Sequence, residues 1–250
     1  TEALAWTAEV YRAAGARLAK RNALHGVADE GGYWPAFKSN EEALAELTGA
    51  ISDAGFEPGA DVGIALDIAA TQLWRNGRYH LALEKRDLSA EQLHAMLLRW
   101  IERYPVVSIE DPFAEHDTEA MASFTRTAGS RIQIVGDDFF VTKAQKVKDA
   151  NGACNAVLLK PNQVGTLTET LACWDAAREA GYGAIVSARS GETEDVSIVH
   201  LAVGWGVPQL KVGSFSRSER MAKWNEGIRI EESLGGSKLP YPARKLFKRR

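Results

Sequence analysis

The stretch VVSIEDPFAEHDTEAMASFTRTAGSRIQIVGDD, residues 106–138, decides the fold. It opens on a short apolar run, VVSI, that ends at Glu110. It continues through an amphipathic segment at Thr118–Ala128 and closes on a second apolar run, IQIVG, that ends at Asp137. Apolar runs this short, bounded by turn residues, read as strands buried on both faces, and a helical stretch between two of them is the crossover of a parallel pair. The same unit recurs outward in both directions. VGIAL precedes Asp67, AVLL precedes Lys160, AIVS precedes Arg189 and QL precedes Lys211, with helical periodicity at Glu91–Arg103, Thr168–Ala180 and Glu194–Val203.

Alternation of strand and helix predicts an α/β fold with a parallel sheet, either a TIM-like barrel or a doubly wound sheet. No glycine-rich dinucleotide fingerprint opens a helix, and charged residues end several different strands, which together favour the barrel. About six strands of this kind can be counted, where a closed barrel needs about eight. The helical segments at either end supply none, so the expected barrel is incomplete at its N-terminal side. No internal repeat or low-complexity linker divides residues 1–250, which read as one barrel domain.

Composition narrows the function classes. A chain of 250 residues with 45% hydrophobic content can bury one large core. A net charge of −3 offers no basic field for nucleic acid. The opening TEALAWTAEVYRAAGARLAKR holds no apolar run long enough for a signal peptide or a membrane span, and two cysteines are too few for a disulfide framework. A cytoplasmic protein is expected, bound to neither nucleic acid nor membrane. Thr1 is either a processed end or the edge of something longer. The basic tail ARKLFKRR reads as a solvated end.

The strand ends carry the chemistry. Asp67, Glu110 and Asp137 end three successive strands, a placement that converges hard oxygen ligands at one barrel mouth and suits Mg²⁺. Lys160 and Lys211 end two later strands, where an ammonium can neutralise an anion or, once deprotonated, act as a base. Taken singly, each reads more readily as a cap, a surface ion-pair partner or a snorkelling lysine; three acids at successive strand ends, with two lysines beside them, reverse that reading. VADEGGYWP sets Glu30 before a Gly-Gly turn that could aim it into a cleft or simply form an acidic turn. SARSGETED offers Arg189 and Ser190 as phosphate donors, with Glu192, Glu194 and Asp195 suited to the first turn of the next helix. The five histidines show no metal-ligand spacing.

Taken together, VADEGG, GIALDIAAT, SIEDPFAEHD, IVGDDFFVT, LLKPNQVGTLTET, SARSGETED and LKVGSFSRSERMAKWNEGIRIEE resemble the C-terminal barrel of the enolase (phosphopyruvate hydratase) family from about Tyr11 through Leu234. The resemblance implies a Mg²⁺-dependent lyase converting 2-phosphoglycerate to phosphoenolpyruvate. Asp67, Glu110 and Asp137 would hold the metal, and Lys160 would take the C2 proton. Lys211 would stabilise the charge that develops, Glu30 would assist departure of the C3 hydroxyl, and Arg189 and Ser190 would bind phosphate. It also implies a homodimer when full length. The chain departs from the family in three ways. Ala188 stands in the Ser187–Ser190 segment where enolases have histidine. Thr71, Gln72 and Leu73 stand where serine, glutamate and phenylalanine are usual. The family's N-terminal domain and first two barrel strands would precede Thr1. Ala188 keeps open a related reaction such as that of carboxyphosphonoenolpyruvate synthase, an enolase-like enzyme of phosphonate antibiotic biosynthesis. The missing front part keeps open a catalytically silent binding protein.

Overall fold

In the computed structural model, residues 1–236 are described; the ARKLFKRR tail lies outside them. Helix α1 spans Glu2–Lys20, strands β1 and β2 span Leu24–Val27 and Tyr33–Pro35, and helix α2 spans Asn40–Asp53. Strand β3 (Ile64–Asp67) leads through a tight turn at Ala70–Leu73 into β4 (Trp74–Arg75), β5 (Arg78–Leu81) and β6 (Arg86–Leu88). There follow α3 (Ala90–Arg103), β7 (Val106–Glu110), α4 (Thr118–Ala128), β8 (Gln133–Gly136) and α5 (Ala144–Asp149). The chain continues with β9 (Ala156–Leu159), α6 (Pro161–Val164), α7 (Leu167–Glu179), β10 (Gly183–Ser187), α8 (Ser197–Gly204), β11 (Leu210–Lys211) and α9 (Ser218–Ser233).

The principal sheet has six strands in the order β11-β10-β9-β8-β7-β3, so spatial order follows chain order without a reversal. A doubly wound sheet must reverse at its switch point, whereas a barrel sheet does not. The chain therefore has an α/β architecture that matches an incomplete TIM-like barrel, with six parallel strands among the described residues. All six strands are those expected from the sequence. Two small antiparallel elements were not expected: the β1-β2 hairpin and the β4-β5-β6 meander.

The chain divides into two compact units, Gly63–Ile185 and Thr1–Val62 with the described residues from Val186 onward. In the Gly63–Ile185 unit, every residue of β9 is buried, and Ile109, Ile134, Val135, Val157 and Leu158 are fully enclosed. This is the double-sided burial that makes a parallel strand read as a continuous apolar run. Helix α3 begins with a capping box in which Ser89 and Gln92 satisfy each other's backbone amides, and it buries Leu93, Met96, Leu97, Trp100 and Ile101 along one stripe. Phe124 of α4 packs edge-on against Phe113 and His94, with ring centroids 5.7 and 5.1 Å apart. The meander turns at Asn76 and Gly77, both with positive φ, and buries Tyr79. The Tyr79 hydroxyl donates to Asp117 Oδ2 at 3.0 Å and accepts from the Ala114 amide at 3.1 Å.

In the other unit, Arg17 of α1 and Arg21 just after it form ion pairs with Glu42, Glu46 and Asp53 of α2. Tyr11 stacks on Tyr33 of β2 at 4.3 Å and shares a 2.6 Å hydrogen bond with Ser216. No helix among the described residues is long and apolar enough to cross a membrane.

Phe124→Ala should lower stability by about 3–5 kcal/mol, because a ring with no exposure leaves a cavity. Leu167→Ala, at a residue 54% exposed, should change it by less than about 0.5 kcal/mol. Urea denaturation of the two variants checks the difference.

Candidate active site

A charged side chain stands at, or within two residues of, the end of each parallel strand. Asp67 is the last residue of β3 and Glu110 the last of β7, and the two are register partners across the ladder. Asp67 is exposed on its edge strand, with Oδ1 accepting from the Ala69 amide at 3.1 Å, whereas Glu110 is buried. Asp137 follows β8 and is also buried. Its carboxylate receives the Lys160 ammonium in an ion pair and the Gln163 amide at 3.2 Å. Lys160 stands between β9 and α6, its side chain only 11% exposed. The expected base and one expected metal ligand are thus in direct contact.

A residue not singled out from the sequence organises this corner. Asp111 is buried and holds a left-handed φ of 40°, a conformation that aspartate tolerates better than most residues. Its Oδ1 accepts from the Asp137 amide at 2.9 Å and its Oδ2 from the Asp138 amide at 2.8 Å. One side chain therefore ties the end of β7 to the turn after β8. Carboxylate oxygens of Asp111, Asp137 and Asp138 lie within 4.8 Å of one another, a group that could hold a metal ion. This group shares only Asp137 with the trio read from the strand ends.

Burial pushes the Asp111 carboxyl up to about 7; the two amides hold it down, and the charges of Asp137 and Asp138 push it up again. Burial and the charge of Asp137 also raise Asp138, while the Lys160 ammonium lowers it. Crowded carboxylates that raise one another favour a cation beside them. The donor set is all oxygen and suits a hard divalent ion.

The β8–α5 loop holds Val141 and Thr142 at φ of 45° and 56°. Two β-branched residues in the left-handed region cost on the order of 1–3 kcal/mol each. Thr142 is fully buried; its hydroxyl accepts from the Lys160 amide at 3.0 Å and donates to Gln163 Oε1 at 2.6 Å. The strained loop thereby fixes the backbone of Lys160 and the partner of Asp137 together.

In the unit that contains the chain's start, Glu30 is exposed in the turn between β1 and β2, and its carbonyl accepts from the Ser214 amide at 2.7 Å. Arg189 and Ser190 follow β10, and Lys211 ends β11 as the register partner of Ser187. The Arg189 amide donates to Glu192 Oε1 at 2.9 Å, so Glu192 closes its own loop rather than capping α8, which begins only at Ser197. Buried Ala188 donates its amide to the Lys211 carbonyl at 2.8 Å.

The family model for the enolase C-terminal TIM barrel domain matches residues 1–250. The chain belongs to the enolase family. Enolase 1 of Desulfitobacterium hafniense (strain Y51) is 49% identical over 226 residues, which cover 88% of this chain and 52% of that relative. The chain thus spans about half the length of the curated enolase that it matches.

Asp111, Asp138 and Gln163 were not identified as site residues from the sequence. The acidic doublets IED and GDD were the available signal for the first two, since a second acid beside a strand-end acid can hold the turn. Asp111→Ala should lower stability by about 2 kcal/mol by leaving one buried and one partly buried amide without acceptors. Asp111→Asn, which keeps one acceptor, should fall between it and the parent in urea denaturation.

Proposed function

We propose that this chain is the barrel part of a Mg²⁺-dependent enolase-type lyase that dehydrates 2-phosphoglycerate to phosphoenolpyruvate. The contact of Lys160 with Asp137, at the ends of adjacent strands in an enolase-family sequence, carries the reading. A base beside a carboxylate that can take a cation is what abstraction of a weakly acidic proton next to a carboxylate requires.

Asp67, Glu110 and Asp137 are the residues we assign to Mg²⁺. Both oxygens of Asp111 accept backbone amides, which suits it to holding the turn rather than to ligation. Bound Mg²⁺ would supply positive charge where negative charge develops on the substrate carboxylate. Lys160 takes the C2 proton; because its ammonium is held by Asp137, the pair must loosen and Lys160 must lose its own proton first. Lys211 offsets charge growing on the substrate, and Glu30 gives a proton to the departing C3 hydroxyl. Arg189 and Ser190 hold the phosphate, where a guanidinium fork and a hydroxyl give charge-assisted hydrogen bonds.

We assign the substrate to phosphorylated three-carbon acids, the place of action to the cytoplasm in glycolysis, and the full-length assembly to a homodimer. Two buried cysteines without a disulfide accord with a reducing compartment. One observation favours a second reading, a related reaction such as carboxyphosphonoenolpyruvate synthesis. Ala188 is 6% exposed, so a methyl group occupies a buried position where enolases carry an imidazole.

Lys160→Ala should slow exchange of the substrate C2 proton with solvent by about 10²–10⁴-fold, whereas Glu30→Gln should preserve exchange and abolish phosphoenolpyruvate formation. Exchange followed by NMR and product followed by ultraviolet absorbance separate the two steps. Equal loss of both in both variants overturns the assigned roles. Calorimetric titration with Mg²⁺ should give binding that Asp137→Asn weakens by at least about tenfold. A large gain of phosphoenolpyruvate formation in Ala188→His would favour the enolase reaction over the second reading.

A further inference from the structure

Arg220, near the start of α9, is among the largest fully buried side chains of the protein, with no exposed surface. A buried guanidinium ordinarily faces a carboxylate. Here it faces backbone. Nη1 donates to the carbonyls of Arg189 and Val212, both at 2.8 Å. Nη2 donates to those of Ser190 at 2.6 Å and Asp29 at 3.3 Å. Nε has no hydrogen-bond partner; the nearest carboxylate, Glu219, stands 3.8 Å away and pairs with Arg217 at 2.7 Å.

The choice of carbonyls is specific. Arg189 and Ser190 are the residues assigned to phosphate, Asp29 precedes Glu30, and Val212 follows Lys211. One side chain thus reaches the backbone at or beside every functional residue of this unit. Its surroundings are shaped to admit it. A Cβ at Gly213, where φ is 127°, would stand 2.8 Å from Arg220 Cδ and 2.5 Å from the Glu30 carbonyl. One at Gly31, where φ is 79°, would meet the Ser216 carbonyl at 2.1 Å. Only glycine permits this approach of the acid loop, the segment after β11 and the arginine. One turn further along α9, Lys223 is 1% exposed and extends the clamp, donating to the Thr193 carbonyl at 2.8 Å and pairing with Glu192 at 2.9 Å.

We propose that Arg220 is the positioning residue of the phosphate-binding loops of this unit. It locks the Asp29–Glu30, Arg189–Ser190 and Val212 segments into one arrangement and adds a buried, incompletely neutralised positive charge behind the loop that meets the anion. Lysine would not replace it, because one ammonium with three donors cannot span four carbonyls in the planar fork of a guanidinium. The proposal rests on the reading of Arg189 and Ser190 as phosphate ligands.

The test compares Arg220→Met and Arg220→Lys with the parent in the full-length protein, by hydrogen exchange with mass spectrometry and by steady-state kinetics with 2-phosphoglycerate. Exchange should quicken in peptides covering 28–32, 188–193 and 212–216 and stay unchanged in peptides from 106–138. The KM should rise by at least about tenfold, with a smaller change in kcat. Methylguanidinium should restore part of the lost affinity in Arg220→Gly. Should Arg220→Met fail to fold, Arg220→Lys carries the same comparison. Unchanged exchange in the three segments, or an unchanged KM, overturns the proposal. Absence of turnover in the parent overturns the phosphoglycerate reading instead, and the exchange pattern then decides the role of Arg220 alone.

Discussion

A parallel strand that ends runs out of ladder partners, and its last amides and carbonyls must find others or pay a desolvation penalty. This constraint governs the regions that carry chemistry here. In the Gly63–Ile185 unit the orphaned groups are amides, and Asp111 accepts two of them with one carboxylate. In the other unit they are carbonyls, and Arg220 serves four with one guanidinium. Asp111 in one unit and Arg220 in the other, buried side chains of opposite sign, thus each take up several of these backbone groups.

The sign of each ion has an electrostatic consequence. Burial pushes the Asp111 carboxyl up to about 7 against the two amides that hold it down, and the charges of Asp137 and Asp138 add to the rise. That corner gains from a cation. A guanidinium that holds carbonyls adds positive charge behind Arg189 and Ser190, and that corner gains from an anion. On the proposed assignment, the groups that satisfy the backbone would also favour the ligand's charge, so fold and site would draw on the same residues. Removing either ion would disturb geometry and field together, as expected where electrostatic preorganisation does most of the chemical work.

The fold was legible where periodicity and burial agree. All six parallel strands could be read because VVSI, IQIVG and AVLL are continuous apolar runs, and α4 was read to the residue because Asp117 caps it and its apolar stripe is regular. The meander escaped notice although Asn76-Gly77 is a strong two-residue hairpin signal, since β4 has only two residues and lacks alternation to recognise. Helix α8 was expected too early because Glu192 and Glu194 looked like first-turn acids. In fact Lys223 claims Glu192, and Asp195 Oδ1 accepts from the Ser197 amide at 2.8 Å just ahead of the helix. Arg220 was illegible for a deeper reason: arginine on an amphipathic helix reads as solvent-facing, and no local pattern reveals four carbonyls converging from distant segments.

Ala188 shows how far such a backbone frame separates position from chemistry. Its amide is fixed to the Lys211 carbonyl, and the Ser187 hydroxyl donates to its carbonyl at 2.7 Å. The segment on either side is therefore held by hydrogen bonds that do not involve the side chain at 188. The backbone hydrogen bonds beside Lys211 and Arg189 thus do not depend on a polar group at 188. What changes is the polarity presented at a buried point: a methyl group neither accepts nor donates, whereas an imidazole can do both.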